Sequence, residues 1–306
     1  MSRKRNVTHL HLQTVLLVLI GLVYACYPSI VVAEGPTAAE YGVVLNLSGK
    51  QRMLSQKMSK EVMLIALDIE TDKNIENLKA TAGLFDKTLK GLRDGDADLK
   101  LPPTTNSRIL KQIDKVESIW TEFNAVIQEI IAAKKVSKEQ VATIATNNLE
   151  LLKEMNKCVT RYEKDASKAG LKSDPGLAVT INLAGKQRML TQKMSKEYLL
   201  IAYGHEVDSN KLNLLETYTL FERTLKGLLD GDSTLDLPGT TNEDIKKQLN
   251  VVKGLWDGFL PIISEGVSPA TTSIPKEKVQ ELANANLPLL KEMNTAVGMY
   301  EKEAAK

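Results

Sequence analysis

The sequence predicts an all-α protein: two tandem antiparallel four-helix bundles after an N-terminal signal segment. Three observations predict it. Thirteen residues, Gly49–Glu61 (GKQRMLSQKMSKE), recur with a single change 136 residues later as Gly185–Glu197 (GKQRMLTQKMSKE). Aromatics are only 5% of the chain, while Leu, Lys, Ala and Glu abound; such unbranched side chains lose little freedom in a helix. Turn-forming clusters then divide each copy into four long periodic stretches.

Residues 1–33 read as a secretory signal peptide. Arg3, Lys4 and Arg5 form a basic head, Val15–Val23 an apolar stretch, and Val31-Val32-Ala33 a small-residue cleavage site. Export to the periplasm with cleavage is expected. The alternative is an inner-membrane anchor over residues 14–33, which is just long enough to span a bilayer but holds Pro28. Lipid attachment at Cys26 ranks last, because the bulky Tyr24 suits such a site poorly. Removing the segment leaves 37 basic against 38 acidic residues, a net charge of −1. That balance gives no support for a nucleic-acid partner. Cys158 alone then remains, so no intramolecular disulfide can form.

The duplication extends well beyond the thirteen residues. Between Asn46–Ala66 and Asn182–Ala202, 17 of 21 positions are identical. Trp120 and Phe123 fall on Trp256 and Phe259 and, after a two-residue insertion, Leu151–Asn156 falls on Leu289–Asn294. The period is too long for a solenoid repeat, so two whole domains stand in series, at 34–170 and 171–306.

In copy 1 the helices are expected at about 37–70, 73–93, 106–134 and 137–168. Asp94-Gly95 stops the second, and Leu101–Asn106 leads into the third with cap-type residues. Ser137 followed by Gln140 resembles a capping box for the fourth. Gly170–Gly176 reads as a short linker. Copy 2 repeats the scheme, with Pro288 expected to kink or delay its last helix.

On a wheel of 100° per residue, Leu47, Leu54, Met58, Val62 and Ile65 share the face assigned to the bundle core. Ser48, Gly49, Arg52, Ser55, Gln56 and Ser59 lie nearly opposite, matched in copy 2 by Ala184, Gly185, Arg188, Thr191, Gln192 and Ser195. Small residues permit close helix approach, and a mid-helix Gly costs about 1 kcal/mol relative to Ala, which something should offset. An arginine on such a stripe has no carboxylate within a turn. Its planar fork suits an oxyanion such as carboxylate, nitrate or phosphate. It could equally be solvated, or pair with an acid of another helix.

NLSGKQRMLSQKM and NLAGKQRMLTQKM resemble the signature of the type IV pili methyl-accepting chemotaxis transducer N-terminal domain, the PilJ/NarX-like sensor family. The resemblance covers both copies. It implies an extracytoplasmic helical bundle and, in the nitrate-sensing members, a pair of arginines holding one anion at a dimer interface. Carried over, the anion ligands are Arg52 and Arg188, with Gly49 and Gly185 permitting close approach; Ser48, Ser55 and Thr191 complete the candidate ligand-binding set because they share the stripe. Members are normally receptors with a following output module, whereas this sequence ends after the second bundle. The tandem arrangement therefore suggests an internal pseudo-dimer that brings Arg52 near Arg188.

Other features carry less. Asp94, Asp96 and Asp98 alternate like a calcium loop, but Leu99 and Thr105 stand where Gly and Glu are required. His9, His11 and His205 form no metal cluster in the mature chain. Trp120, Phe123, Met53, Met58 and Cys158 read as packing. No catalytic constellation repeats in both copies, so neither an enzyme nor a cofactor is expected. The expected function is a non-catalytic extracytoplasmic sensor with a small anion between the copies. The competing reading is an interaction module whose Ser48–Ser59 stripe docks a helix of a membrane receptor, sensor kinase or pilus component; a homo-oligomer is compatible with either.

Overall fold

The computed structural model describes residues 35–168 and 175–306. Residues 1–33, expected to be a signal segment, and the expected 170–176 linker apart from its last two residues lie outside them. Among the described residues there are eight α-helices and no strand. They are α1 (Ala38–Ala66), α2 (Thr71–Asp94), α3 (Ser107–Ala133) and α4 (Lys138–Lys168), followed by α5 (Pro175–Tyr203), α6 (Val207–Asp230), α7 (Glu243–Val267) and α8 (Lys276–Ala304).

Local chemistry sets most of the boundaries. Thr37 and Glu40 form a capping box at the start of α1. Ser137 and Gln140 exchange backbone-to-side-chain hydrogen bonds of 3.0 and 3.1 Å ahead of α4. Asn106 and Asn242 cap α3 and α7 through their side-chain oxygens. Gly95 and Gly231 end α2 and α6 at φ 85° and 92°, a region that only glycine enters without strain. The acidic loops that follow are tight turns, closed by the bridges Asp96–Leu101 and Asp232–Leu237. Pro288 does not delay the last helix. Pro288 sits inside α8, and Pro261 inside α7. Pro288 is exposed while Asn286 and Leu289 beside it are fully buried. Packing on the inner face thus holds the helix, and the carbonyl left without a donor can face water.

In copy 1, α1 packs on α2 and α4, and α3 completes the ring against the same two helices; α5–α8 repeat this arrangement. Each bundle centres on an aromatic stack. Phe85 and Trp120 have ring centroids 4.4 Å apart, and Trp120 and Phe123 6.3 Å; Phe221, Trp256 and Phe259 repeat the spacing at 4.5 and 6.4 Å. Residues Pro36–Lys306 form one compact unit, within which all of this core is closed.

The helix pair with the most extensive contact is α1 and α5, and α1 also touches α8 while α5 touches α4. Each first helix therefore has two inward faces. One meets its own bundle through Leu54, Met58 and Val62, while the opposite stripe, Ser48 to Ser59, is equally buried against the other copy. The helix that occupies this stripe belongs to the same chain. An outside helix could not dock there without displacing α5, which removes that route for the interaction-module reading.

Candidate functional site

Where α1 and α5 cross, Gly49 faces Gly185. A Cβ built on either glycine would lie 3.9 Å from the Cα of the other, and within 4 Å of the Nη2 atoms of both Arg52 and Arg188. The absence of two side chains lets the helices meet backbone to backbone there, and one Nη2 atom of each arginine lies beside the contact.

Both arginines are 1% exposed. Arg52 Nη1 donates to Asn156 Oδ1 at 2.8 Å, and its Nη2 donates to Asn182 at the backbone oxygen (3.1 Å) and Oδ1 (2.8 Å). Arg188 Nη1 donates to Asn294 Oδ1 at 2.8 Å and its Nη2 to the Asn46 backbone oxygen at 2.9 Å. Each arginine is thus held by the fourth helix of its own bundle and the first helix of the other. None of these acceptors is charged. The nearest acids are reached only through asparagine: Asn182 Nδ2 donates to Glu163, and Asn46 Nδ2 to Glu301. The Nε of each arginine is buried without a partner, as is Asn46 Oδ1.

Burying a guanidinium without a direct counter-charge disfavours its charged form. Burial lowers Arg52 to about 10, against a small opposing pull from Glu163. Burial and then repulsion from Arg52 lower Arg188 to about 9. Both remain charged at neutral pH, so the crossing holds two buried like charges. An anion there would gain from both.

The hydroxyls predicted beside the arginines serve the helix backbone. Ser48 Oγ donates to Leu45 O, Ser55 Oγ to Arg52 O at 2.8 Å, and Thr191 Oγ1 to Arg188 O at 2.8 Å. Of the predicted set, the structure gathers Arg52, Arg188, Gly49 and Gly185 at one point and leaves the hydroxyls as local supports.

Two turns along the same seam lies a second pair of buried cations. Lys60 Nζ donates to Asn286 Oδ1 at 2.9 Å and Lys196 Nζ to Asn148 Oδ1 at 3.1 Å, each bond crossing between the copies. Burial lowers both lysines to about 8. Glu61 and Glu197 stay within their own bundles, paired with Lys57 and Lys193. Sequence reasoning missed all the asparagines. Their signal was present, because Asn46/Asn182, Asn148/Asn286 and Asn156/Asn294 recur in both copies at matched positions.

Fold and site define a tandem helical-bundle protein built around a buried cationic seam. The chain belongs to the family of type IV pili methyl-accepting chemotaxis transducer N-terminal domains, which matches residues 38–146 and 171–282. It is 29% identical over 116 residues to the methyl-accepting chemotaxis protein McpN of Pseudomonas aeruginosa, covering 38% of this chain and 21% of that protein. Similarity to Protein PilJ of the same organism is 24% identity over 243 residues, covering 78% of this chain and 33% of the relative. The chain thus spans a third or less of the length of these relatives. Among the described residues, no helix is long and apolar enough to cross a membrane.

Proposed function

We propose that the chain is a non-catalytic sensor module that holds one small oxyanion, nitrate-like in size and charge, between Arg52 and Arg188. The observation that carries this reading is the approach of two buried guanidinium groups, each with an unpartnered Nε and no direct carboxylate, to the contact between Gly49 and Gly185. A small planar oxyanion offers acceptors to both forks, and charge-assisted hydrogen bonds are the strong ones. Tandem duplication supplies within one chain what the dimeric members build from two. In line with the chemotaxis names of its relatives, the module is exported and passes its bound state to a chemoreceptor or pilus component.

A ligand that binds only the folded state raises its stability in proportion to the logarithm of concentration. Nitrate, nitrite and acetate are each titrated while the thermal midpoint is followed. The reading expects a saturable rise for at least one anion, absent in Arg52→Ala and in Arg188→Ala. A flat response to all three, or equal rises in wild type and both variants, would remove the site.

A further inference from the structure

The two copies share a frame, so charges present in only one of them stand out. At the end of α4 a groove of about 450 Å³ is lined by Arg108, Lys157, Arg161, Lys164 and Lys168, with Asp165 as its one acid. The four α4 cations are spaced four, three and four residues apart and share a face of the helix, with Arg108 at the start of α3 beside them. Lys157 pairs with Glu154, and Arg161 Nη1 donates to the backbone oxygen of Arg108 at 2.9 Å. Arg108, Arg161, Lys164 and Lys168 make no ion pair among the described residues. Asp165 is already engaged, accepting from Asn106 Nδ2 at 3.0 Å and from Tyr41 Oη at 3.3 Å.

Copy 2 builds the same corner: Asn242 Nδ2 donates to Glu303 at 2.6 Å as Asn106 does to Asp165. Its charges differ. Asp244, Thr295 and Met299 stand at the positions of Arg108, Lys157 and Arg161, and only Lys302 and Lys306 remain. The fold therefore does not require the extra cations.

We infer that this groove is a second binding site, specific to copy 1, for a phosphate-type anion. Its volume is that of a small-ligand cleft, two arginine forks can grip phosphate oxygens bidentately, and three lysines supply further charge. A singly charged planar ion would leave most of these donors unused, which separates this site from the seam. The Tyr41–Asp165 bond places the groove at the end of the bundle where α1 begins. The phosphate could thus be a lipid headgroup or a free soluble ion.

The test uses the compact Pro36–Lys306 unit with two probes, inorganic pyrophosphate by calorimetry and phosphatidylglycerol–phosphatidylcholine vesicles by co-sedimentation, with phosphatidylcholine vesicles as control. Saturable binding of pyrophosphate, or selective binding of the phosphatidylglycerol vesicles, is expected, and whichever is seen names the source. The variant Arg108→Asp/Lys157→Thr/Arg161→Met, which places copy-2 residues in copy 1, should weaken it at least tenfold. Arg161→Met alone should weaken it measurably. Arg188→Ala, which disables the seam, should change pyrophosphate affinity by less than twofold, so this site can stand or fall without the first. Binding of neither probe, or equal binding by the triple variant, overturns the inference.

Discussion

The cores of the two bundles and the seam between them are equally buried but chemically opposite. Each core is an aromatic stack enclosed by aliphatic side chains, whereas the seam buries two arginines and two lysines among asparagines, serines and glycines. Apolar burial is non-directional and stabilises whatever packs well. Buried charge costs stability unless its partners are in place, and it makes one geometry far better than the alternatives. The cores therefore explain why each bundle folds. The seam adds directional, partnered contacts between the two copies, and its crossing is where we propose that the anion binds.

The contrast can be broken most severely in a core. Phe123→Ala removes a fully buried ring and should cost about 3–5 kcal/mol in urea unfolding. It should leave anion affinity intact in the folded fraction; a matching loss of affinity would show that core and seam are not separable.

Seam partners come next. Asn286→Leu leaves Lys60 buried without an acceptor and should cost about 1.5–3 kcal/mol at neutral pH. The penalty should fade with pH, and the sign follows from linkage. Lys60 and Lys196 are about 8 folded against 10.5 unfolded. Between those values the unfolded chain binds more protons, so wild-type stability attributable to them should rise with pH across that window. Unfolding midpoints at pH 7, 8.5 and 10 check both statements, and a wild-type contribution that falls across the window contradicts the buried-lysine account.

Gly49→Ala should separate folding from binding. The added methyl meets ordinary contact distances of 3.5–3.9 Å and removes a mid-helix glycine, for a gain of up to about 1 kcal/mol. Because it occupies the point where the two guanidinium groups converge, anion affinity should fall. Higher stability with unchanged affinity would move the ligand away from the crossing.

The smallest effect compares the cores. Trp120 Nε1 donates to Asp86 Oδ1 at 3.2 Å, whereas the matching Trp256 Nε1 is buried without a partner, Glu222 standing where copy 1 has Asp86. Trp120→Phe should therefore cost about 0.5–1 kcal/mol more than Trp256→Phe in urea unfolding; equal costs would mean that this hydrogen bond contributes nothing net.

What could be read in the sequence follows the range of the physics involved. Helix ends at Gly95, Ser137 and Asn106 depend on neighbours within four residues, and their residue types announce them. Gly49 and Arg52 were legible because duplication printed the stripe twice. The asparagines recur in both copies as well, but their role was not legible, since an asparagine in α4 declares its partner only once α1 and α5 lie beside it. Pro288 does not delay α8 for the same reason: its local penalty is real, but Asn286 and Leu289 on the buried face hold the helix through it. Ser55 and Thr191 share the arginines' stripe on a wheel, which cannot show that their hydroxyls donate to their own helix.

The central claim is that each copy contributes one arginine to a single shared site. Calorimetric titration of the protein with nitrate, nitrite and acetate in turn at pH 7, where both guanidinium groups are charged, tests it most directly. The account predicts one anion per chain, lost in Arg52→Ala and equally in Arg188→Ala. Two anions per chain, each lost in only one variant, or no binding by a folded wild type, would contradict it.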